Sequence, residues 1–289
     1  MLLQQLVNGL TLGTTYAMLA LGYSLIFGVL SFINFAHGDV AVVSAYMLWY
    51  LISKCALPLI PAFLIAICTG MLLGVIIERI GYKPIRKSPR LSAVIVSMGF
   101  SFILSTGIQI VWGTSPHQMP SIGETQYLKV GGAIINTMQI WIFAIAIVIM
   151  ILLTLLLNKT KIGLAMRSIA LDRNTASLMG INVDRTISWV FALGSALGAI
   201  SAIMMALYYG ALYSTMGSTI GTKGFAAVVL GGAGSIPGAM IGGLLLGLIE
   251  SIAGTLLTAQ LKDAVSALVL ILMLVLRPAG ILGKDVVKE

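Results

Sequence analysis

Two stretches of the sequence combine residue types that can do work inside an otherwise apolar chain. The first is Asn34-Phe35-Ala36-His37-Gly38-Asp39, where an amide, an imidazole and a carboxylate interrupt two long apolar runs. Gly38 permits a sharp change of backbone direction, and Asp39 is placed to cap a helix starting at Val40. Ionisable groups among apolar spans usually face a cavity or a partner, because exposing them to lipid is costly. Helices broken near a substrate path are a recurrent transporter device, so Asn34, His37, Gly38 and Asp39 are candidates to line a translocation pathway. A juxtamembrane turn with solvated His37 and Asp39 explains the same residues. Glu250 ends an apolar run from Ile236 and either lines an external vestibule or marks the membrane interface. Glu78 adjoins Arg79 and reads as an interfacial pair.

The second stretch lies within 158–185. Asp172 is a good N-cap, and Gly180, directly after Met179, is the residue type that ends helices. Together they bracket a helix of about two turns. Ala176 and Met179 share one face at i, i+3, whereas Arg173 and Ser177 lie elsewhere; Asn182 and Asp184 can cap the element that follows. A small capped helix with an apolar stripe and basic flanks fits a groove on another protein. A solvated helical linker fits the same pattern.

Other chemistry lacks its parts. No G-x-x-x-x-G-K-[ST] loop is present, so the chain does not bind ATP in that way. Two histidines (His37, His117) and two cysteines (Cys55, Cys68) do not assemble a metal site or a disulfide framework. An intramembrane enzyme would have no nucleophile–base pair to use. The glycines of 231–238 are followed by no basic residue and mark a turn, not a phosphate cradle.

The elements that must position these residues follow from composition. Of 289 residues, 59% are apolar, 32 are glycine and only 9% are charged, against about 25% charged in a soluble domain. Soluble, disordered and nucleic-acid-binding classes are excluded despite a net charge of +8. The expected fold is all-α: a polytopic membrane protein, forming a single transmembrane domain over 1–289. Spans are expected near Leu6–Leu30, Val40–Ile52, Leu59–Ile77, Leu91–Trp112, Gln139–Leu157, Thr186–Tyr208, Ile236–Ser251 and Ala264–Leu276. That makes eight helices, to which the Gly-flanked segment 221–232 adds one short or re-entrant helix, since a full crossing takes about 20 residues. The connection 113–138 reads as a loop.

All but four of the 17 basic residues fall in three groups: Arg79, Lys83, Arg86, Lys87 and Arg90; Lys159, Lys161, Arg167, Arg173 and Arg185; and Arg277, Lys284 and Lys288. If these groups are cytoplasmic, the N-terminus is outside and the C-terminus inside, which requires the 221–232 segment to complete a ninth, shortened passage, since eight crossings would leave both ends on one side. Lys54, Lys129, Lys223 and Lys262 then lie near the external face. The first 53 residues hold no Lys or Arg, so no cleavable leader is expected. Gly9/Gly13, Gly70/Gly74, Gly194/Gly198 and Gly243/Gly247 have the spacing that lets helix backbones approach.

The pattern Ala170-x-Asp172-x-x-x-Ala176-x-x-x-Gly180-Ile181 resembles the ATPase-coupling loop of ABC importer permeases, although Ile169-Ala170 replaces the usual Glu-Ala-Ala start. Ser31 to Asp39 followed by Ser44-Ala45-Tyr46, and the Gly-rich run Val228 to Gly243, are similar to the smaller permease of bacterial branched-chain amino acid transporters. The resemblance covers Asn8 to Gly283. It implies a non-enzymatic inner-membrane permease translocating Leu, Ile and Val, or, in related permeases, urea, amides or other small amino acids. It implies no cofactor in this chain, ATP being used by two cytoplasmic ABC ATPase subunits. The other implied partners are a second homologous permease and a periplasmic or extracellular binding protein. ATPase coupling would fall to Gly163, Arg167, Ala170, Asp172, Arg173, Ala176, Met179, Gly180 and Ile181. An ion-coupled secondary transporter is the contrasting reading, but it would need intramembrane acids beyond Asp39 and Glu250.

Overall fold

The computed structural model describes residues 2–86, 88–120, 126–130, 132–256 and 261–283; Lys87, Lys284 and Lys288 lie outside the described residues. With no water to satisfy backbone amides inside a bilayer, apolar runs of this length must be helical. The helices are α1 (Leu2–Leu30), α2 (His37–Ser53), α3 (Leu59–Ile77, continued by a π-helical turn at Glu78–Tyr82), α4 (Arg90–Trp112) and α5 (Thr137–Lys159). The chain goes on through α6 (Lys161–Leu171), α7 (Arg173–Leu178), α8 (Val183–Tyr209), α9 (Met216–Gly231), α10 (Ile236–Leu256) and α11 (Lys262–Leu276).

Among the described residues, six helices are long and apolar enough to cross a membrane: α1, α3 with its π turn, α4, α5, α8 and α10. At 17, 16 and 15 residues, α2, α9 and α11 fall short of the usual length. The segment expected over 221–232 starts earlier, at Met216, and the 158–185 connection carries α6 in addition to the bracketed α7. The connection 113–138 is not all loop. Strand β1 (His117–Gln118) pairs antiparallel with β4 (Ala211–Leu212), and β2 (Tyr127–Val130) forms a hairpin with β3 (Ala133–Asn136).

Helices α1 and α8 form the buried centre, with α2 and α9 packed on them, whereas α3, α4 and α5 turn residues such as Leu72, Phe102 and Ile151 outward. An outward apolar face has no core to meet and suits a lipid environment. The α1–α10 contact is made backbone to backbone. A Cβ at Gly247 would fall on Gly13, one at Gly243 on Ala17, and one at Gly13 within 2.8 Å of Leu244 Cα. The small-residue spacing therefore serves packing within the chain.

Opposite ends of the bundle are tied separately. At one end Gln4 exchanges hydrogen bonds with the Ile134 backbone, and Trp49 Nε1 donates to Gln118 O at 3.1 Å. At the other end Arg173 Nη2 donates to Val29 O at 3.0 Å, and Ile281 N and Leu282 N donate to the last carbonyls of α9. The second end carries the basic groups.

Candidate functional site

Helix α1 stops at Ser31, which takes a left-handed φ of +56°. Asn34 then organises the turn: its Oδ1 accepts from the Ala36 amide at 3.1 Å and from the Tyr82 hydroxyl at 2.8 Å. Because Asn34 supplies this turn, α2 starts at His37, before the expected Val40. Asp39 is thus inside the first helical turn and does not act as its cap. Its Oδ2 instead accepts from Ser101 Oγ at 2.5 Å, and its Oδ1 faces Gly217 in the first turn of α9. The starts of α2 and α9 touch through glycine: a Cβ at Gly38 would lie 2.8 Å from Gly221 Cα. Two helix N-termini therefore meet around one carboxylate, an arrangement their dipoles favour.

His37 and Asp39 are each only 1% exposed, which removes the solvated-turn reading. Ser101 lies halfway along α4, and the His37 ring lies against Gly198, near the midpoint of α8, so the break is deep in the bundle. The ring fills a slot walled by Gly22 and Gly198, tilted 4.6 Å from Tyr23, and among the described residues neither ring nitrogen has a hydrogen-bond partner.

Glu250 is neither at an interface nor in a vestibule wall. It is fully buried and accepts from Lys223 Nζ at 2.7 Å and Tyr16 Oη at 2.9 Å. Lys223, expected near the external face, is buried in α9 and also reaches Asp263 Oδ1 at 2.8 Å. The cluster joins α1, α9, α10 and α11. Sequence reasoning missed Lys223, Tyr16, Asp263 and Ser101. The available signal was a lone lysine inside the Gly-rich apolar run 216–231, which needs a buried anion to be tolerated.

At the basic end, Glu78 pairs with Arg86 and Ser188, not with its neighbour Arg79. The π turn carries Arg79 outward while Glu78 is fully buried. Arg86 also binds Asp184, which accepts Lys83 at 2.8 Å, linking the 79–90 group to the start of α8.

The linking helices follow the expected stops. Thr160 Oγ1 caps α6 at Gly163, whose Cβ would strike the end of α5. Asp172 Oδ1 accepts from the Thr175 amide at 2.7 Å, and that amide holds the Asp172 carboxyl below its ordinary range. Gly180 has a φ of +82°, and the Ile181 amide donates back to Ala176 O. One expectation fails: Ala176 and Met179 do not share an environment. Ala176 packs inward at 4% exposure, whereas Met179 is 79% exposed. The outward apolar residues are Leu171, Leu178 and Met179. Arg167 and Ala170 border a cavity of about 600 Å³ between α1, α5, α6 and the start of α10.

A helical bundle with outward apolar faces, short helices meeting in its core and a capped linking helix at its basic end is the architecture of a multi-pass membrane protein. Residues 5–274 match the family described as branched-chain amino acid transport system / permease component, and the chain belongs to that family. It is 38% identical to the high-affinity branched-chain amino acid transport system permease protein LivH of Salmonella typhimurium, over 99% of this chain and 97% of that one. The permease BraD of Pseudomonas aeruginosa is likewise 38% identical, with the same coverage. A chain of the solved PsaBC from Streptococcus pneumoniae in complex with Fab shares the fold at a TM-score of 0.53 and 14% identity. It covers 94% of this chain and 91% of that chain. The protein is a multi-pass inner-membrane permease and not an enzyme.

Proposed function

We propose that this chain is one half of the membrane core of an ATP-binding-cassette importer and carries leucine, isoleucine and valine by alternating access. The observation that carries the reading is the linking segment. The capped segment around α7, fixed by Asp172 and Gly180, presents Leu171, Leu178 and Met179 outward and is anchored through Arg173 to the end of α1. An exposed apolar knob held on a rigid base suits docking in a groove of an ATPase subunit. Movement of that knob is passed directly to the central helix. Gly163, Arg167, Ala170, Ala176 and Ile181 support its shape.

In this reading two cytoplasmic ATPases close on ATP, a second homologous permease completes the pore, and a binding protein delivers substrate from outside. The N-terminus is external, the C-terminus cytoplasmic, and the short helices α2, α9 and α11 complete the crossings within one permease domain. Asn34, His37, Gly38 and Asp39 lie beside the path, where the converging ends of α2 and α9 can respond to a passing charged group. Glu250 serves the path indirectly, by holding α9 against α10.

The substrate assignment draws on the names of the LivH and BraD relatives. Uptake of labelled leucine by cells expressing the chain with its partner subunits tests it. ATP-dependent leucine uptake inhibited by isoleucine and valine is expected. Uptake blocked by urea or acetamide but not by valine would move the protein to the amide-carrying relatives.

A further inference from the structure

At the basic end, a cavity of about 670 Å³ opens between α3, its π turn and the start of α8. Arg79, Lys83 and Arg185 line it together. Asp184 is the acid on its wall, and it is already engaged by Lys83 and Arg86. Among the described residues, Arg79 and Arg185 form no ion pair, so two guanidinium groups face the cavity with their charge unspent. A π turn, of the kind that often marks a functional position, is what turns Arg79 into the cavity while its neighbour Glu78 points inward.

Three features give the occupant's chemistry. The guanidinium fork matches a phosphate. Trp189, 40% exposed on a helix that is otherwise mostly buried, borders the same cavity, and tryptophan favours the headgroup level of a bilayer. The apolar part of its lining is Val75 and Ala192, and Leu72 and Ile76, within one turn of Val75 on α3, are exposed apolar residues that would extend an apolar ramp from it. A soluble anion would have no use for that apolar ramp, whereas an acyl chain would.

We propose that this cavity is a binding site for an anionic phospholipid, with Arg79 and Arg185 on the headgroup phosphate, Lys83 beside it, and an acyl chain along α3. Basic pockets between membrane helices bind anionic headgroups on this principle.

The test is native mass spectrometry of the full chain in mild detergent, titrated with phosphatidylglycerol or phosphatidylcholine and with glycerol phosphate as a soluble competitor. Wild type should retain phosphatidylglycerol and not phosphatidylcholine. Each charge removed should weaken binding about five-fold, so Arg79→Gln with Arg185→Gln should weaken it about 25-fold. Arg79→Lys with Arg185→Lys should keep most of the binding and so control for folding, and Lys129→Gln at the opposite end should change nothing. Equal retention of both lipids, or unaltered retention in the Gln pair, overturns the proposal. Displacement by glycerol phosphate at lipid-like concentrations makes the site one for a free anion and also overturns it. So does loss of the bound lipid when the partner subunits assemble, which would reassign the cavity to a protein contact.

Discussion

Lys223 Nζ lies 2.7 Å from Glu250 Oε1, and both side chains are buried between α9 and α10. An ion pair in such surroundings is costly to half-remove, because the remaining charge has no water to turn to. Lys223→Ala, which leaves the fully buried Glu250 carboxylate without its cation, should therefore destabilise the protein by about 3–5 kcal/mol. Replacing both partners, Lys223→Met with Glu250→Met, should recover most of the loss. Thermal unfolding in detergent compares them, and a double variant as damaged as the single one would contradict the pairing.

Glycine in this bundle is required at some positions and incidental at others. Gly38→Ala drives a methyl toward Gly221 and Gly217 and should cost about 1–3 kcal/mol through overpacking. Gly99, in the middle of α4, has nothing within 4 Å of an added Cβ. Gly99→Ala should be neutral or stabilising by about 0.5–1 kcal/mol. Unfolding midpoints moving the same way for both would refute the contact between α2 and α9.

The Asp39–Ser101 hydrogen bond ties α2 to α4 at mid-bundle. Bonds to a charged acceptor contribute about 1.5–3 kcal/mol, and Ser101→Ala should lose an amount of that order. Asp39→Ala should lower leucine uptake at normal membrane insertion, and the Ser101→Ala effect should vanish in the Asp39→Ala background. Additive losses in that double-mutant cycle would show that the two residues act separately.

On the linking segment, Leu178→Ala with Met179→Ala should leave unfolding unchanged within about 0.5 kcal/mol, as exposed substitutions do. Substrate-stimulated ATP hydrolysis by the assembled importer should nevertheless fall. Gly180→Val should cost about 1–2 kcal/mol, because its backbone is left-handed. Asp172→Asn should be tolerated and Asp172→Ala should not, since asparagine caps as well as aspartate. The folded Asp172 carboxyl titrates below its ordinary value of 3.8. Its cap is therefore fully formed above that value and lost only as pH falls through the lower folded one, so coupling should show no Asp172-dependent change near neutrality. Normal stimulated hydrolysis in the Leu178/Met179 pair would place the ATPase contact elsewhere.

The long apolar helices and the stops around α7 were legible because each rests on local chemistry: twenty uncharged residues, an N-cap aspartate, a terminal glycine. The break at 31–36 was legible as a break, but its depth was not. Depth depends on α2 packing against α4, α8 and α9, which no window of sequence contains. Lys223 was misplaced for the same reason. Its partners Glu250 and Asp263 lie on other helices, and positive charge counted by loop treats every lysine as solvated. Ala176 and Met179 share a face by spacing alone, yet α7 ends at Leu178, so Met179 sits at the C-cap and does not continue the helical face.

The seam between α1 and α10, where Gly13 and Ala17 lie directly on Gly247 and Gly243, limits how the molecule can deform. Two backbones in contact have no layer of side chains between them to slide or re-pack, so the pair travels as one rigid plank. In the proposed coupling, a displacement arriving from Arg173 at the foot of α1 would swing α10 as well. Any opening has to occur along the better-cushioned seams that this plank shares with its neighbours.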